Sequence, residues 1–443
     1  MTESPNNRWL HRFAVLTALA TLALIGIGGL VTSHDAGMSV PDWPNSYGYN
    51  MFFFPPSKWI GGILYEHTHR LWASMVGLIV VALARWLGGR ESRRPLAIVG
   101  ALEMLAGIAI FAQWPNQKAT GGFLMGIGGV ILLAALVWVR NKKSPAPLPQ
   151  LGWLALALVQ IQGLLGGLRV VLFKDQIGIF HATLAQLFFV LTCAIALLTS
   201  GWWLQRERRA AARIDGGELA GRLTTERVVG APPSLLFLAT TVLILFQLIL
   251  GATMRHQHAG LSIRDFPLAY GKLWPATDPA SVAAYNERRI EITNIKPVTA
   301  FQIELQMVHR IVALLILGAV GLCAWKVRSS GFSRAGEPPE GGTPNVIRRL
   351  SYGWLGLIVL QAGLGAATIL SDKAADIATA HVLVGALSLA TGAVLSIIAL
   401  RFSQCAAGIQ PAEVILKGVP AADLRGVLEA GSAGKMPAAR VRS

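Results

Sequence analysis

Charged residues are scarce in this chain. Asp, Glu, Lys and Arg make up 14% of its 443 residues, whereas a soluble domain carries about 25%. This deficit excludes an ordinary water-soluble enzyme. Disorder of the whole chain is excluded as well, because unfolded chains need a polar composition and 53% of these residues are hydrophobic. The composition predicts a membrane protein.

Cysteines and acidic residues are also few. Cys193, Cys323 and Cys405 lie in or beside apolar runs and form no CxxC pair, so neither a zinc site nor a disulfide framework is indicated. The net charge of +16 does not indicate nucleic-acid binding, because that function needs a basic face on a folded soluble domain. If the spans alternate across a bilayer from a cytoplasmic N-terminus, most lysines and arginines instead fall on the cytoplasmic side, as the positive-inside rule expects.

A membrane-spanning helix needs about 20 apolar residues, and ten runs approach or exceed that length. They are residues 13–33, 69–89, 95–113, 120–140, 150–171, 178–201, 233–254, 307–326, 349–370 and 377–401. Arg8 and Arg12 precede the first run as in a signal peptide, but the run is long for one, and we interpret it as an uncleaved span. The sequence therefore predicts an all-α polytopic membrane protein of about ten transmembrane helices.

The two halves of the chain share four motifs. GGLVTSHDAGMSVPDWP at 28–44 recurs as GATMRHQHAGLSIRDFP at 251–267, EHTHRLWA at 66–73 as QMVHRIVA at 306–313, QGLLGGLRVVL at 162–172 as QAGLGAATIL at 361–370, and HATLAQL at 181–187 as HVLVGAL at 381–387. The first two pairs are offset by 223 and 240 residues and the last two by 199 and 200. The first half thus has about 40 extra residues, enough for a helical hairpin.

We therefore predict two tandem pseudo-symmetric four-helix bundles, a parallel repeat about the membrane normal. The first half is residues 13–201, with the inserted hairpin at about 95–140, and the second half is residues 233–401. The remaining segments are a cytoplasmic N-terminus at 1–12, a cytoplasmic linker at 202–232 and a disordered cytoplasmic tail at 402–443.

Four histidines occupy matched positions in the repeat: His69, His181, His309 and His381. Each lies near the outer end of a span. Two such histidines on neighbouring helices are placed to coordinate one planar macrocycle, so the halves offer two pockets. A lone histidine is more often a hydrogen-bonded packing residue, but its repetition in both halves favours a ligand. Non-haem iron or copper is disfavoured, because two histidines alone make an incomplete site.

The halves differ beside the first histidine of each pair. Glu66 lies three residues before His69 on the same helical face, and Gln306 takes its place in the second half. A carboxylate can exchange protons and stabilise developing positive charge, whereas an amide cannot. The difference predicts a working pocket in the first half and an electron-transfer or structural pocket in the second. The alternative is that Glu66 only pairs with Arg70.

Other polar residues near the spans allow two interpretations each. Four arginines at outer span ends suit macrocycle propionates by bidentate pairing, and interfacial snorkelling explains them equally well; they are Arg70, Arg169, Arg255 and Arg310. His256 and His258 either touch a metal or propionate or, as we expect, form an exposed loop pair. Glu103 in the hairpin either faces a partner or, as we expect, lies at the cytoplasmic edge. The outer loop at 255–306 is a predicted cover over the second pocket.

Together these residues resemble the haem A synthase family, which converts haem O to haem A for terminal oxidases. The resemblance is carried by GGLVTSHDAGMSVPDWP, GGILYEHTHRLWAS, QGLLGGLRVVL with HATLAQ, MVHR and the His381 helix. It covers nearly the whole chain apart from the hairpin and the tail. It implies a substrate haem O in the first half and a permanent haem b in the second.

The resemblance also assigns roles to residues. His69 and His181 would flank the iron of haem O, with Arg70 beside it, and Glu66 would be catalytic. The axial iron ligands of haem b and its arginine would be His309, His381 and Arg310. The implied reaction oxidises one ring methyl through hydroxymethyl to formyl, with geminal-diol dehydration last.

Two departures from the family pattern stand out. Many members carry a cysteine pair in the first outer loop, but Ser46 stands within DWPNSYG here and the outer loops contain no cysteine. This chain resembles the class without that disulfide. The hairpin at 95–140 is the second departure, because the usual plan has eight spans.

Two other functions stay open on the sequence. One is a dihaem b membrane electron carrier and the other is a noncatalytic haem-binding factor for oxidase assembly; the presence of a carboxylate in only one half favours the enzyme. The expected location is the inner membrane of a bacterium, with both termini cytoplasmic and the haem sites near the outer face. A haem O synthase and terminal oxidase subunits are candidate partners, while the electron donor, the oxygen source and homo-oligomerisation stay open.

Overall fold

The computed structural model describes residues 7–137, 144–215, 233–288, 297–329 and 343–406. These residues are almost entirely helical, and the only strands among them are the short antiparallel pair β1 (Asn45–Ser46) and β2 (Tyr49–Asn50). The prediction of an all-α polytopic membrane protein is confirmed. The predictions for residues 1–6, 216–232 and 407–443 lie outside the described residues.

Twelve α-helices are described in these ranges. They are α1 (Arg8–Ser33), α2 (Gly62–Gly88), α3 (Arg93–Gln113), α4 (Lys118–Leu136), α5 (Leu148–Leu172), α6 (Asp175–Thr199), α7 (Gly201–Asp215), α8 (Ser234–His256), α9 (Pro279–Glu287), α10 (Ala300–Ser329), α11 (Thr343–Leu370) and α12 (Ala375–Ala406). Short 3-10 turns lie at Met51–Phe53, Pro56–Lys58, Gly89–Ser92 and Pro115–Gln117.

Each of the ten predicted spans has a helix of its own. Nine helical segments in the described ranges are long and apolar enough to cross a membrane, and one of them, Gly62–Gln113, has 52 residues. At 1.5 Å per residue this segment is about 78 Å long, more than twice the roughly 30 Å of a bilayer core. It divides at Gly89, whose φ of 57° breaks the helix between α2 and α3. The segment therefore supplies two spans.

Two four-helix cores lie side by side. Helices α1, α2, α5 and α6 pack around Val76, Leu83 and Phe188. Helices α8, α10, α11 and α12 pack around a second core that includes Phe237 and Trp354. The bundles meet where α1 and α6 contact α12 and where α6 also contacts α8. The membrane protein thus has the paired architecture that the repeat predicts.

The inserted hairpin is α3 with α4, packed through glycines. A Cβ added to any of four glycines would lie 2.6–2.8 Å from a backbone atom of the other helix, which lets the backbones approach closely; they are Gly100, Gly107, Gly121 and Gly128. The N–H of Ser144 donates to the carbonyl of Leu87 at 3.1 Å. The chain therefore returns from the hairpin to the end of α2, where it left.

Two predicted irregular segments begin as helix. The linker predicted at 202–232 starts within α7, because Ser200 caps that helix by accepting from the N–H of Trp203 at 3.1 Å and Trp203 is buried in the second core. The tail predicted at 402–443 is wrong at its start, since α12 continues to Ala406. Arg401 on α12 binds both carboxylate oxygens of Glu207 on α7 at 2.8 and 2.7 Å. This ion pair holds the two helix ends together.

Candidate functional site

The four repeat-related histidines line one continuous cavity. His69 lies on α2, His181 on α6, His309 on α10 and His381 on α12, and all four are among its lining residues. The cavity has a volume of about 1680 Å³, above the roughly 300–1,000 Å³ of a small-molecule pocket. The two pockets expected from the sequence are therefore joined, because the cavity wall includes residues of both bundles.

Each histidine ring lies against a glycine of a neighbouring helix. A Cβ added to that glycine would lie 3.1–3.4 Å from Cε1 of the imidazole; the pairs are Gly28 with His69, Gly166 with His181, Gly251 with His309 and Gly365 with His381. The glycines themselves are matched by the repeat, at the same offsets as the motifs that contain them. Sequence reasoning passed over them, although their positions within the repeated motifs carried the signal.

The imidazoles have little hydrogen bonding of their own. Nδ1 of all four rings is buried without a hydrogen-bond partner among the described residues. Three glutamines lie beside the histidines, but the Nε2 atoms of Gln162 and Gln247 donate at 2.9 Å to the backbone carbonyls of His181 and His309. Only Gln361, with Nε2 3.4 Å from Nε2 of His381, approaches a ring in the described part of the chain. The contacts are not those of hydrogen-bonded packing histidines.

Glu66 and Gln306 hold the outer loops by equivalent bonds. Glu66 Oε2 accepts from the N–H of Val40 at 2.8 Å, and Gln306 Oε1 accepts from the N–H of Ile263 at 2.8 Å. Glu66 Oε1 also pairs with Arg70 at 2.8 Å, so the predicted alternative contact is present. Both side chains are buried at the cavity wall. The carboxylate is thus a loop anchor as well as a cavity residue.

The arginines after the two motif histidines also bind loop backbone. Arg70 donates to the carbonyls of Val40, Asp42 and Asn45 at 2.7–2.9 Å. Arg310 donates to the carbonyls of Asp265 and Leu268 at 2.9 Å. These guanidinium groups line the cavity, but their described bonds go to the loops. A contact with haem propionates stays a prediction.

The two outer loops share one turn. The carboxylate of Asp42 accepts from the N–H groups of Tyr47 and Gly48, and that of Asp265 accepts from those of Tyr270 and Gly271, at 2.7–2.9 Å. Tyr47 and Tyr270 each have a φ of 51°. Asx-type bonds of this kind stabilise such turns. The repeat therefore extends beyond the quoted motifs and gives the two loops the same turn.

A family model described as cytochrome oxidase assembly protein, COX15-CtaA, matches residues 121–393. This match covers more than half of the chain. The chain belongs to this family. The match confirms the resemblance found in the sequence, and it includes His181, His309 and His381. His69 and Glu66 precede it, and they are tied to the matched region by the internal repeat.

Bacterial relatives in this family carry the name Heme A synthase. The one from Shouchella clausii is 29% identical over 157 residues, which are 32% of this chain and 51% of the relative. The one from Hyphomonas neptunium is 23% identical over 276 residues, 60% of this chain and 65% of the relative. The one from Geobacillus thermodenitrificans is 30% identical over 155 residues, 32% of this chain and 48% of the relative. The chain thus spans between about half and two thirds of these relatives.

Two further predicted arginines of this COX15-CtaA chain lie near the cavity. Arg255 crosses between the bundles, because its Nη2 donates to the carbonyl of Gly29 at 2.9 Å and to Oγ of Ser33 on α1. The guanidinium of Arg169 lies against Gly37, where an added Cβ would be 2.8 Å from Nη2. Arg255 therefore joins the two halves, which snorkelling alone does not explain.

His256 and His258, expected to be an exposed loop pair, differ in exposure. His258 is exposed, but His256 is the last residue of α8, is buried and lies against Gly178, so that half of the expectation is wrong. His67 was missed by sequence reasoning. Its ring is fully buried between Phe54 and Trp59, and its Nδ1 lies 3.2 Å from Oγ of Ser46. Ser46 therefore supports the first loop at the position discussed for a cysteine.

Glu103 is not at a cytoplasmic edge. It is the eleventh residue of the 21 in α3, so the expectation is wrong because the helix begins at Arg93. Its Oε1 accepts from Nε2 of Gln160 on α5, and its buried Oε2 has no partner in the described part of the chain. Both residues line the cavity. The hairpin therefore brings a carboxylate to the wall of the first half.

Proposed function

We propose that this chain is a haem A synthase, a membrane oxidoreductase that oxidises one ring methyl of haem O through hydroxymethyl to formyl. Its family membership and the names of its relatives support this activity. The observation that carries the proposal is the set of four repeat-related imidazoles at one cavity, each with a buried nitrogen lacking a partner in the described residues. Histidines that serve packing alone hydrogen-bond their buried ring nitrogens. Nδ1 of these four rings has no such bond within the described ranges, which favours a role as iron ligands.

The residues present fit two macrocycles. His309 and His381 would hold a resident haem b, and His69 and His181 would flank the substrate haem O. Glycines opposite all four rings leave room for the imidazoles to approach the neighbouring helices closely. A bound haem b supplies one-electron redox chemistry. Among the described residues no three His, Cys, Asp or Glu side chains form a metal-binding group, which leaves paired histidines as the ligands.

Glu66 is the proposed proton-exchanging group of the first half. Its two oxygens are held by Arg70 and by the N–H of Val40, so a proton that binds at either oxygen weakens one of these contacts. Gln306 keeps the loop bond and has no ionisable group. The proposed reaction therefore belongs to the first half, and the second half holds its haem without acting on it.

We further propose a bacterial cytoplasmic membrane, with both termini inside and the histidines near the outer face. The distribution of lysine and arginine supports this orientation. The family description supports use of the product in cytochrome oxidase assembly. A haem O synthase and the oxidase subunits are the partners to test.

The test is expression in a host that makes haem O but no haem A. Haems are extracted and the formyl product is sought by mass. The expected result is haem A, with or without the hydroxymethyl intermediate. Unchanged haem O together with two reducible b-type signals would instead identify an electron carrier, and bound but unchanged haem O without such signals would identify a noncatalytic haem-binding factor.

A further inference from the structure

The cavity wall differs between the bundles on the inner side of the histidines. At four positions matched by the repeat, the first half has a smaller or more polar residue than the second. These pairs are Thr21 with Ile244, Ser74 with Leu314, Gly77 with Leu317 and Gln186 with Ala386. All except Ala386 line the cavity. At these four positions the first half therefore has shorter or more polar side chains than the second.

The hairpin borders this part of the cavity through α4, beside α2 and α5. Helix α4 contributes Gly122 and Gly126 to the cavity lining, α2 contributes Gly77 and α5 contributes Gly163. A Cβ added to any of these four glycines meets no described atom within 4 Å. Space is therefore open along all three helices. We call this space between α2, α4 and α5 the side groove.

The other walls of the side groove are mainly apolar. They are formed by Val81, Ile127, Val130, Leu156 and Val159. Such walls suit a hydrocarbon chain better than a file of water, because water needs two to four polar partners at each position. From His69 to Gly77 the groove descends about 12 Å along α2 at 1.5 Å per residue. This length and these walls suit an extended apolar ligand.

Two unpartnered oxygens mark where a polar group of that ligand would bind. Gln186 is 8% exposed, and its Oε1 has no hydrogen-bond partner in the described part of the chain. Glu103 Oε2, beside Gln160, is also buried without a hydrogen-bond partner among the described residues. Ala386 and Val359 occupy the positions of Gln186 and Gln160 in the second half. These oxygens can accept a hydrogen bond from a hydroxyl group.

We propose that the side groove holds the isoprenoid chain of haem O. The hydroxyl group of this chain would donate a hydrogen bond to Gln186 or Glu103. The proposal rests on the function proposed above. It gives the hairpin the task of separating haem O from protohaem, a porphyrin without such a chain. The second half has no inserted hairpin, and Leu314 and Leu317 stand there in the places of Ser74 and Gly77. We therefore expect it to suit the chainless haem.

The experiment fills the groove with leucine. Gly126→Leu and Gly77→Leu place a side chain in the open space, and Gly77→Leu copies the residue of the second half. Gly129→Leu is the matched control, because Gly129 is on α4 with no atom within 4 Å of an added Cβ but is not among the cavity residues. Each purified protein is titrated with haem O and with protohaem, and binding is followed by absorbance.

We expect both groove variants to weaken haem O binding about tenfold, or roughly 1.4 kcal/mol, and to leave protohaem binding unchanged. The control should resemble the wild type. The haem b spectrum of the second half reports whether each variant folds. Equal losses for both haems, or unchanged haem O binding in both folded variants, would overturn the proposal.

The two proposals fail separately. If the wild-type chain converts haem O but the groove substitutions do not weaken haem O binding relative to protohaem binding, the groove assignment is wrong and the function stands. If the substitutions selectively weaken haem O binding but the wild type converts no haem O in the expression host, the chain site stands and the enzymatic assignment falls. Gln186→Ala, which copies the second half, should also reduce haem O affinity without affecting protohaem.

Discussion

At the scale of single residues, the site depends on the glycine that lies opposite each histidine. The absence of a side chain at Gly28, Gly166, Gly251 and Gly365 lets each imidazole lie against a helix backbone. Rings held in this way have few rotamers open to them. The glycines thus act as positioning residues that set the orientation of each ring.

The positioning role predicts an effect for Gly365→Ala. The new Cβ would lie 3.2 Å from Cε1 of His381, a crowded contact that forces the ring to shift by a few tenths of an ångström. Changes that disturb ligand orientation cost about 10- to 100-fold in metal affinity, so haem b should be lost more readily. Retention of haem b during dilution, followed by its low-spin absorbance, measures this.

Gly363→Ala on the same helix is the matched control. An added Cβ there meets nothing within 4 Å, and alanine favours a helix over glycine by up to about 1 kcal/mol. This variant should keep its haem and its stability. Equal haem retention in both variants would show that the glycine does not orient His381.

Glu66→Gln is predicted to separate structure from chemistry. Gln306 shows that an amide at this place still accepts the loop N–H at 2.8 Å, so folding and haem binding should persist. Conversion of haem O should fall at least about 100-fold, the lower range for removal of a general acid or base. Product analysis by mass, beside the absorbance of bound haem, gives both quantities.

The control for this change is Glu304→Gln, because Glu304 is an exposed carboxylate on α10 whose Oε1 accepts from Thr277. It should convert haem O at the wild-type rate. Unimpaired turnover in Glu66→Gln would remove the proposed proton role and leave Glu66 as a loop anchor.

At the scale of elements, each outer loop is held by one arginine. Arg70→Lys keeps the charge but loses the planar fork that reaches the carbonyls of Val40, Asp42 and Asn45. Bonds to charged donors are worth about 1.5–3 kcal/mol each, and a lysine recovers only part of them. The midpoint of thermal unfolding should fall. Arg288→Lys, the same change at an exposed residue, should leave it unchanged; a matching midpoint in both variants would contradict the anchoring role.

The apolar runs predicted the spans but not their ends. Helix α2 begins at Gly62 rather than at residue 69, because its first turns carry Glu66 and His67, which are polar yet covered by the outer loop. Hydropathy records composition and cannot detect such cover. For the same reason His256 was expected in an exposed loop. It is buried because Gly178, on another helix, has no side chain and leaves space for the imidazole.

The repeat predicted the candidate site more fully than composition did. It identified the four histidines and the Glu66 with Gln306 difference, both found at the cavity. It did not separate loop anchoring from catalysis at Glu66, because sequence spacing places a side chain on a helix face without showing what each oxygen contacts. The bonds to Val40 and Arg70 depend on loop conformation.

At the scale of the whole molecule, two similar bundles have become unequal. They are joined by Arg255 near the histidines, and at the opposite end of α12 Arg401 pairs with Glu207 of α7. The first bundle has Ser74 and Gly77 where the second has Leu314 and Leu317, and the hairpin packs against α2 of the first bundle. The two proposed haem sites are therefore expected to differ in selectivity.

The hairpin should therefore be removable. Because Ser144 hydrogen-bonds to Leu87, residues 90–142 can be replaced by a short Gly-Ser linker without moving either end. An even number of spans is lost, so the orientation of the later helices is kept. Surfaces that α3 and α4 cover on α2 and α5, such as Val81 and Leu156, would face lipid at little cost, since lipid tails are as apolar as these side chains.

We expect the excised protein to insert, to keep the low-spin haem b of the second half and to bind haem O and protohaem with similar affinity. Protease access to a C-terminal tag in inverted vesicles checks orientation, and absorbance checks both haems. Loss of haem b on excision would mean that the hairpin supports the whole fold. Preserved selectivity for haem O would mean that α2 and α5 alone recognise the chain, since the wall formed by Gly122 and Gly126 would be gone.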